Sequence, residues 1–130
     1  VANKVPGLRM IFDHLNQPPM HDFGRWGELM QVAAKHKNIF VKISGLGTAS
    51  KKSNSWKAED IRPSVAFVLQ HFGEDRWCCG GDWPVSLVAG SYGDTWKVYK
   101  EVLAKLLNEE QQRKVFSLNA QMFYKLKIED

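Results

Sequence analysis

Apolar positions along this chain follow two rhythms. Short runs at residues 8–14, 39–44 and 76–80 carry their apolar side chains back to back or at every second position, which predicts strands. Longer segments space them three and four residues apart, which predicts amphipathic helices. Trp26, Leu29, Met30 and Ala33 mark a helix over 24–36; further helices are predicted over 58–72 and 94–107. A last one runs over 109–126, with Val115, Phe116, Leu118, Met122 and Phe123 as its apolar stripe, and Asn108 with Gln111 forms its N-terminal cap.

Strands alternating with helices of this length argue for an α/β fold with three parallel strands and right-handed crossovers. Ligands of such folds gather where the strands end, at the C-terminal edge of the sheet. Strand alternation groups Met10, Phe12 and His14 on one face, then Phe40, Lys42 and Ser44, then Cys78, Gly80 and Asp82. With the strands adjacent in chain order, neighbours lie about 4.8 Å apart, so His14 and Asp82 can reach one small ligand. Three strands leave two open edges and an uncovered apolar face. The 130 residues are therefore expected to form a single unit that is completed by a partner segment or an oligomeric partner. A first residue that is Val rather than Met accords with a processed chain or a fragment.

Composition narrows the classes. Forty-four per cent hydrophobic and 25% charged residues describe an ordinary globular domain, and no apolar run reaches the roughly 20 residues that span a bilayer. The net charge of +4 is scattered along the chain, so neither nucleic acid nor a membrane is an expected partner. The adjacent Cys78 and Cys79 suit neither a structural disulfide nor a spaced metal motif, which points to a reducing cytoplasm.

The candidate chemistry sits at strand ends. In the run from Cys79 to Val85, Gly80 and Gly81 are expected to supply unusual backbone angles, Pro84 forces the chain out of the strand, and Asp82 is left at an open mouth as a base or as a turn cap. Lys42, in an otherwise apolar strand, binds a substrate oxyanion or carboxylate or forms an internal ion pair. Trp83 walls a ligand ring or packs into the core. Arg62 before Pro63 is expected at a helix start. His21, His36 and His71 read as peripheral, and Lys51-Lys52 as a solvated mobile loop rather than an anion site.

The blocks Ile11-Phe12-Asp13-His14-Leu15-Asn16-Gln17-Pro18, Ile39-Phe40-Val41-Lys42-Ile43-Ser44-Gly45-Leu46, Trp56 with Asp60-Ile61-Arg62-Pro63, Gly80-Gly81-Asp82-Trp83-Pro84-Val85 and Asn119-Ala120 with Phe123-Tyr124 resemble the amidohydrolase-2 family. The likeness is to its sugar-lactone hydrolase, or fuconolactonase-like, group. It implies the C-terminal part of a distorted (β/α)8 TIM barrel, strands six to eight. It also implies His14 as the sixth-strand histidine and Asp82 as the eighth-strand general base toward water. Asn16-Gln17 and Gly81 depart from the Gly-Lys and Ser usual there.

The implied activity is opening of a sugar lactone or similar cyclic ester. Asp82 and His14 are the catalytic pair, and Trp83, Lys42 and Ser44 are substrate contacts. If one divalent zinc or manganese ion is present, His14 and Asp82 are its ligands from this chain. A decarboxylase of the same superfamily, using the same pair, is the alternative within the family. A non-catalytic partial barrel that binds a partner through its uncovered sheet is the alternative outside it.

Overall fold

The computed structural model describes residues 1–128. Its elements are β1 (Met10–Phe12), α1 (Gly24–Ala34), β2 (Ile39–Ile43), a short α2 (Leu46–Ala49), α3 (Ala58–Phe72), β3 (Trp77–Cys79), α4 (Tyr92–Leu106), α5 (Glu109–Arg113) and α6 (Asn119–Tyr124). The strands are parallel in the order β1-β2-β3, as the alternation of strands and helices requires. The last predicted helix is interrupted by a π-helical turn over Lys114–Leu118, and the Asn108–Gln111 cap is present, with Gln111 N–H donating to Asn108 Oδ1 at 2.9 Å.

One sheet face meets the helices. Ile39, Val41, Ile43 and Trp77 pack with Ile61, Val65, Val68, Tyr99, Val102 and Leu103, all buried. Each buried aliphatic side chain here contributes about 1.5–3 kcal/mol. Arg76 locks the strand bases together, donating to the carbonyls of Ala34, His36 and Ile39. α3 begins at Ala58, where Asp60 Oδ2 accepts the Lys57 N–H at 2.8 Å and Asp60 Oδ1 pairs with Lys52. Arg62 and Pro63 therefore lie inside the helix rather than at its start, because Asp60 supplies the cap.

The register corrects one expected face. Met10 pairs with Ile39 and Phe12 with Val41, so both lie on the helix side, while Ile11 lies beside Phe40 and the next position, Asp13, follows toward Lys42. Part of the opposite face is covered by the chain itself: the Phe123 ring stands 4.8 Å from Phe40, and the Lys42 ammonium lies 5.8 Å from the centre of the Tyr124 ring.

Candidate functional site

His14 reaches Asp82 although β1 ends two residues earlier. From His14 to Gln17 the backbone is left-handed at four successive non-glycine residues, φ 54°, 48°, 56° and 55°. Each such residue costs about 1–2 kcal/mol, and surrounding contacts must hold it. Those contacts are present. Leu15 is fully buried, its carbonyl accepts the Trp26 indole N–H at 3.0 Å, and Gln17 N–H donates to the His14 carbonyl at 2.8 Å. The reversal swings the His14 imidazole over the strand ends.

Asp82 is also left-handed, at φ 51°. The strained conformation expected of Gly80 and Gly81 falls on the aspartate itself; those two glycines serve close packing instead. A Cβ on Gly81 would lie 2.6 Å from the Tyr92 ring, and one on Gly80 would lie 3.1 Å from Lys42 Cδ. The chain then continues through a cis Trp83–Pro84 bond into a 3-10 turn at Val85–Ala89.

The two residues converge at 3.6 Å, His14 Nε2 to Asp82 Oδ1, with side chains 37% and 15% exposed. On the far side of the imidazole, Nδ1 lies 2.7 Å from Ser44 Oγ. Ser44 is buried, and its hydroxyl faces the histidine, so it orients the ring. A hydroxyl can donate to Nδ1 or accept from it, so either tautomer is accommodated. Gly45 lies close against both side chains: at φ 62°, a Cβ there would stand 3.0 Å from both Asp82 Oδ2 and His14 Nδ1.

Lys42 meets the acidic neighbour that its burial demanded, donating to Asp13 Oδ1 at 2.6 Å. Burial alone would push its ammonium down; the hydrogen bond to Asp13, with the Tyr124 side chain adding to it, outweighs that and holds it above the ordinary lysine value. Trp83 is 68% exposed, which excludes core packing among the described residues. Both cysteines are free, and burial pushes their thiols up, away from reactive thiolates.

A cleft of about 870 Å³ opens over the pair. His14, Asp82 and Gly45 line it together with Gln17, His21 and Lys51, whereas Lys42, Ser44 and Trp83 do not. His21 and Lys51 thus lie nearer the chemistry than their sequence positions suggested. The readable signal for His21 was the rigid Pro18-Pro19 step that carries it back over the mouth. For Gly45 it was a glycine directly after a strand.

The pair also fits a shared divalent ion. Ligands about 2.1 Å from a tetrahedral centre lie about 3.4 Å apart, close to the 3.6 Å seen here, and the Ser44 contact leaves Nε2 turned to that space. Among the described residues no third His, Cys, Asp or Glu joins them, so an ion here would meet these two side chains alone. No described helix is long and apolar enough to cross a membrane.

Residues 1–126 match the family model described as Amidohydrolase. The chain is 36% identical to an L-fucono-1,5-lactonase of Burkholderia ambifaria, over 96% of this chain and 44% of that protein. It is 30% identical to an uncharacterized protein, y4mH, of Sinorhizobium fredii, over 97% and 42%. A crystal structure of a Burkholderia multivorans amidohydrolase with bound zinc superimposes with a TM-score of 0.86 at 24% identity, over 97% of this chain and 47% of that one. The chain thus spans less than half the length of these relatives. Its three strands and flanking helices are the corresponding part of their barrel.

Proposed function

The chain belongs to the amidohydrolase family, and from that premise we propose that it carries the catalytic pair of a lactone hydrolase, with Asp82 as the base that takes a proton from the attacking water. The observation that supports this most is the convergence of His14 Nε2 and Asp82 Oδ1 at 3.6 Å in the mouth of the cleft. A water between them would donate to the Asp82 carboxylate while the imidazole holds its oxygen or the lactone carbonyl.

Asp82 removes the proton as the water oxygen bonds to the carbonyl carbon. The ring C–O bond then breaks, and the protonated Asp82 returns its proton to the departing ring oxygen. Atoms balance: one water enters and one hydroxy acid leaves. Ser44 keeps the imidazole aimed through both steps. A zinc or manganese ion held by His14 Nε2 and Asp82 Oδ1 would supply Lewis-acid polarisation of the carbonyl.

The remaining strands of the barrel, and any further ligands, come in this reading from additional chain or from a partner. Lys42 serves the sheet through Asp13, and Trp83 is free to meet substrate or the rest of the barrel. Free thiols, Cys78 buried and Cys79 partly so, accord with a reducing, cytoplasmic setting.

The test is hydrolysis of sugar lactones, L-fucono-1,5-lactone first, by the protein and by its Asp82→Asn variant. A general base contributes about 10²–10⁴-fold, so a loss of kcat in that range with the fold intact is expected. Near-normal hydrolysis by Asp82→Asn removes the proposed base. Decarboxylation of a planar aromatic acid, with no lactone opened, would favour the decarboxylase alternative.

A further inference from the structure

The wall of the cleft that follows β2 carries a cation that no described residue pairs with. Lys51 lines the cleft, and among the described residues it enters no ion pair, whereas the adjacent Lys52 is held by Asp60. The loop that presents it is tied down rather than loose. Ser50 Oγ donates to the Gly47 carbonyl at 2.6 Å and accepts the Lys52 N–H at 3.2 Å, and Lys51 N–H donates to the Thr48 carbonyl at 3.2 Å. Lys51 itself is left-handed, at φ 57°. The Ser50 hydroxyl is used within the loop, so the ammonium is the strong donor that this wall offers a ligand.

Across the lining, Asp82 is the single acidic residue among the described ones, against Lys51 and the imidazoles of His14 and His21. A substrate that brought a carboxylate near an ionised Asp82 would be repelled unless a cation received it. Lys51 is placed to do so from the same cleft. Resting on the lactonase reading above, we propose that Lys51 is a specificity residue for lactones bearing a free carboxylate, which its ammonium binds while the ring ester faces His14 and Asp82.

Two probes isolate the carboxylate: D-glucaro-1,4-lactone and D-glucono-1,4-lactone differ in a carboxylate against a hydroxymethyl group. Binding of each is measured by calorimetry with the Asp82→Asn protein, so that the result does not depend on turnover, and lactone hydrolysis is assayed separately with the unsubstituted protein. A charge-assisted hydrogen bond corresponds to about a 10- to 100-fold preference for the carboxylated probe. Lys51→Met in that background is expected to bring the affinity ratio within about 3-fold, and Lys51→Arg to preserve most of it. Equal affinities, a ratio that Lys51→Met leaves intact, or no binding of the carboxylated lactone overturns the proposal. Carboxylate-selective binding by a protein that hydrolyses neither probe nor other lactones would retain the Lys51 site and reject the lactonase reading.

Discussion

Gly45 approaches Asp82 so closely that a methyl group built on it would stand 3.0 Å from the carboxylate Oδ2, and equally close to His14 Nδ1. The turn that follows β2 therefore abuts both groups proposed to do the chemistry. Its left-handed backbone, φ 62°, adds a second reason for glycine. Gly45→Ala is expected to cost about 1–2 kcal/mol in stability and to lower lactone turnover by at least about 10-fold by parting the pair. Chemical denaturation and kcat on the same preparations check both. Unchanged turnover in a protein carrying the alanine would show that the His14–Asp82 spacing is not critical.

Ser44 Oγ lies 2.7 Å from His14 Nδ1, and we expect it to act on catalysis through that imidazole. Removing its hydroxyl frees the imidazole to rotate and leaves Nδ1 without its partner. Such supporting contacts are worth about 10–100-fold. Ser44→Ala is expected to lower kcat by that factor with little change in KM, and to shift the pH profile of kcat/KM. Ser44→Thr keeps a hydroxyl and is expected to recover part of the loss. An effect on KM alone would instead make Ser44 a substrate contact.

Much of this arrangement was legible in the sequence, and the reasons it was not fully so are local. The strand order, the helix over 58–72 and the meeting of His14 with Asp82 followed from alternation and chain order. The route by which they meet did not. A regular strand through His14 would have left it on the side of Met10 and Phe12, which the register turns toward the helices. Four left-handed residues without a glycine undo that; His14 and Asn16 are of types that tolerate this region, but Leu15 and Gln17 are not, and the buried Leu15 and the Trp26 hydrogen bond that hold them are tertiary. Lys51 escaped for a similar reason, since the path of its loop brings it to the cleft, whereas His21 was marked only by the Pro18-Pro19 step before it.

Lys42 separates two roles by measurement. Its pair with Asp13 lies away from the cleft, so Lys42→Met is expected to lower stability while leaving KM for lactones nearly unchanged. The pH dependence follows from the raised folded value of the ammonium. Its contribution is complete below the unfolded lysine value of about 10.4 and is lost as pH rises through the higher folded value. Denaturation midpoints between pH 8 and about 11 are expected to fall less for Lys42→Met than for the parent protein. A selective rise in KM would return Lys42 to the substrate.

The C-terminal helices are anchored by a second charged group, one of several that contribute to the acid limb. Lys114 bridges Glu74 and Asp75, and Gln111 donates to Glu74 at 2.7 Å. The hydrogen bond from Lys114 holds the Glu74 carboxyl below the ordinary glutamate range, with Gln111 adding to it. The resulting stabilisation is present above the unfolded value of about 4.3 and is lost as pH falls through the lower folded one. Lys114→Met is expected to flatten the loss of stability between about pH 5 and pH 3. Equal acid limbs for the two proteins would mean that solvent screens the cluster completely.

Gly81 and Tyr92 form a contact that a double-mutant cycle can read directly. A Cβ on Gly81 would lie 2.6 Å from Tyr92 Cε2 and 2.9 Å from its hydroxyl, so the ring occupies the place of a side chain at position 81. Tyr92 is about half exposed and packs edge-on against Trp96 with ring centres 6.2 Å apart, so it can swing out at the expense of that contact. An aromatic pair is worth about 0.5–1.5 kcal/mol, and Gly81→Ala is expected to cost about that much. Tyr92→Ala removes the obstacle and the pair together. In the double variant the alanine at 81 should then add almost nothing, a coupling of at least about 0.5 kcal/mol. Additive losses would mean that the methyl is accommodated by the backbone around Asp82 instead, and turnover would then fall in Gly81→Ala whether or not Tyr92 is present.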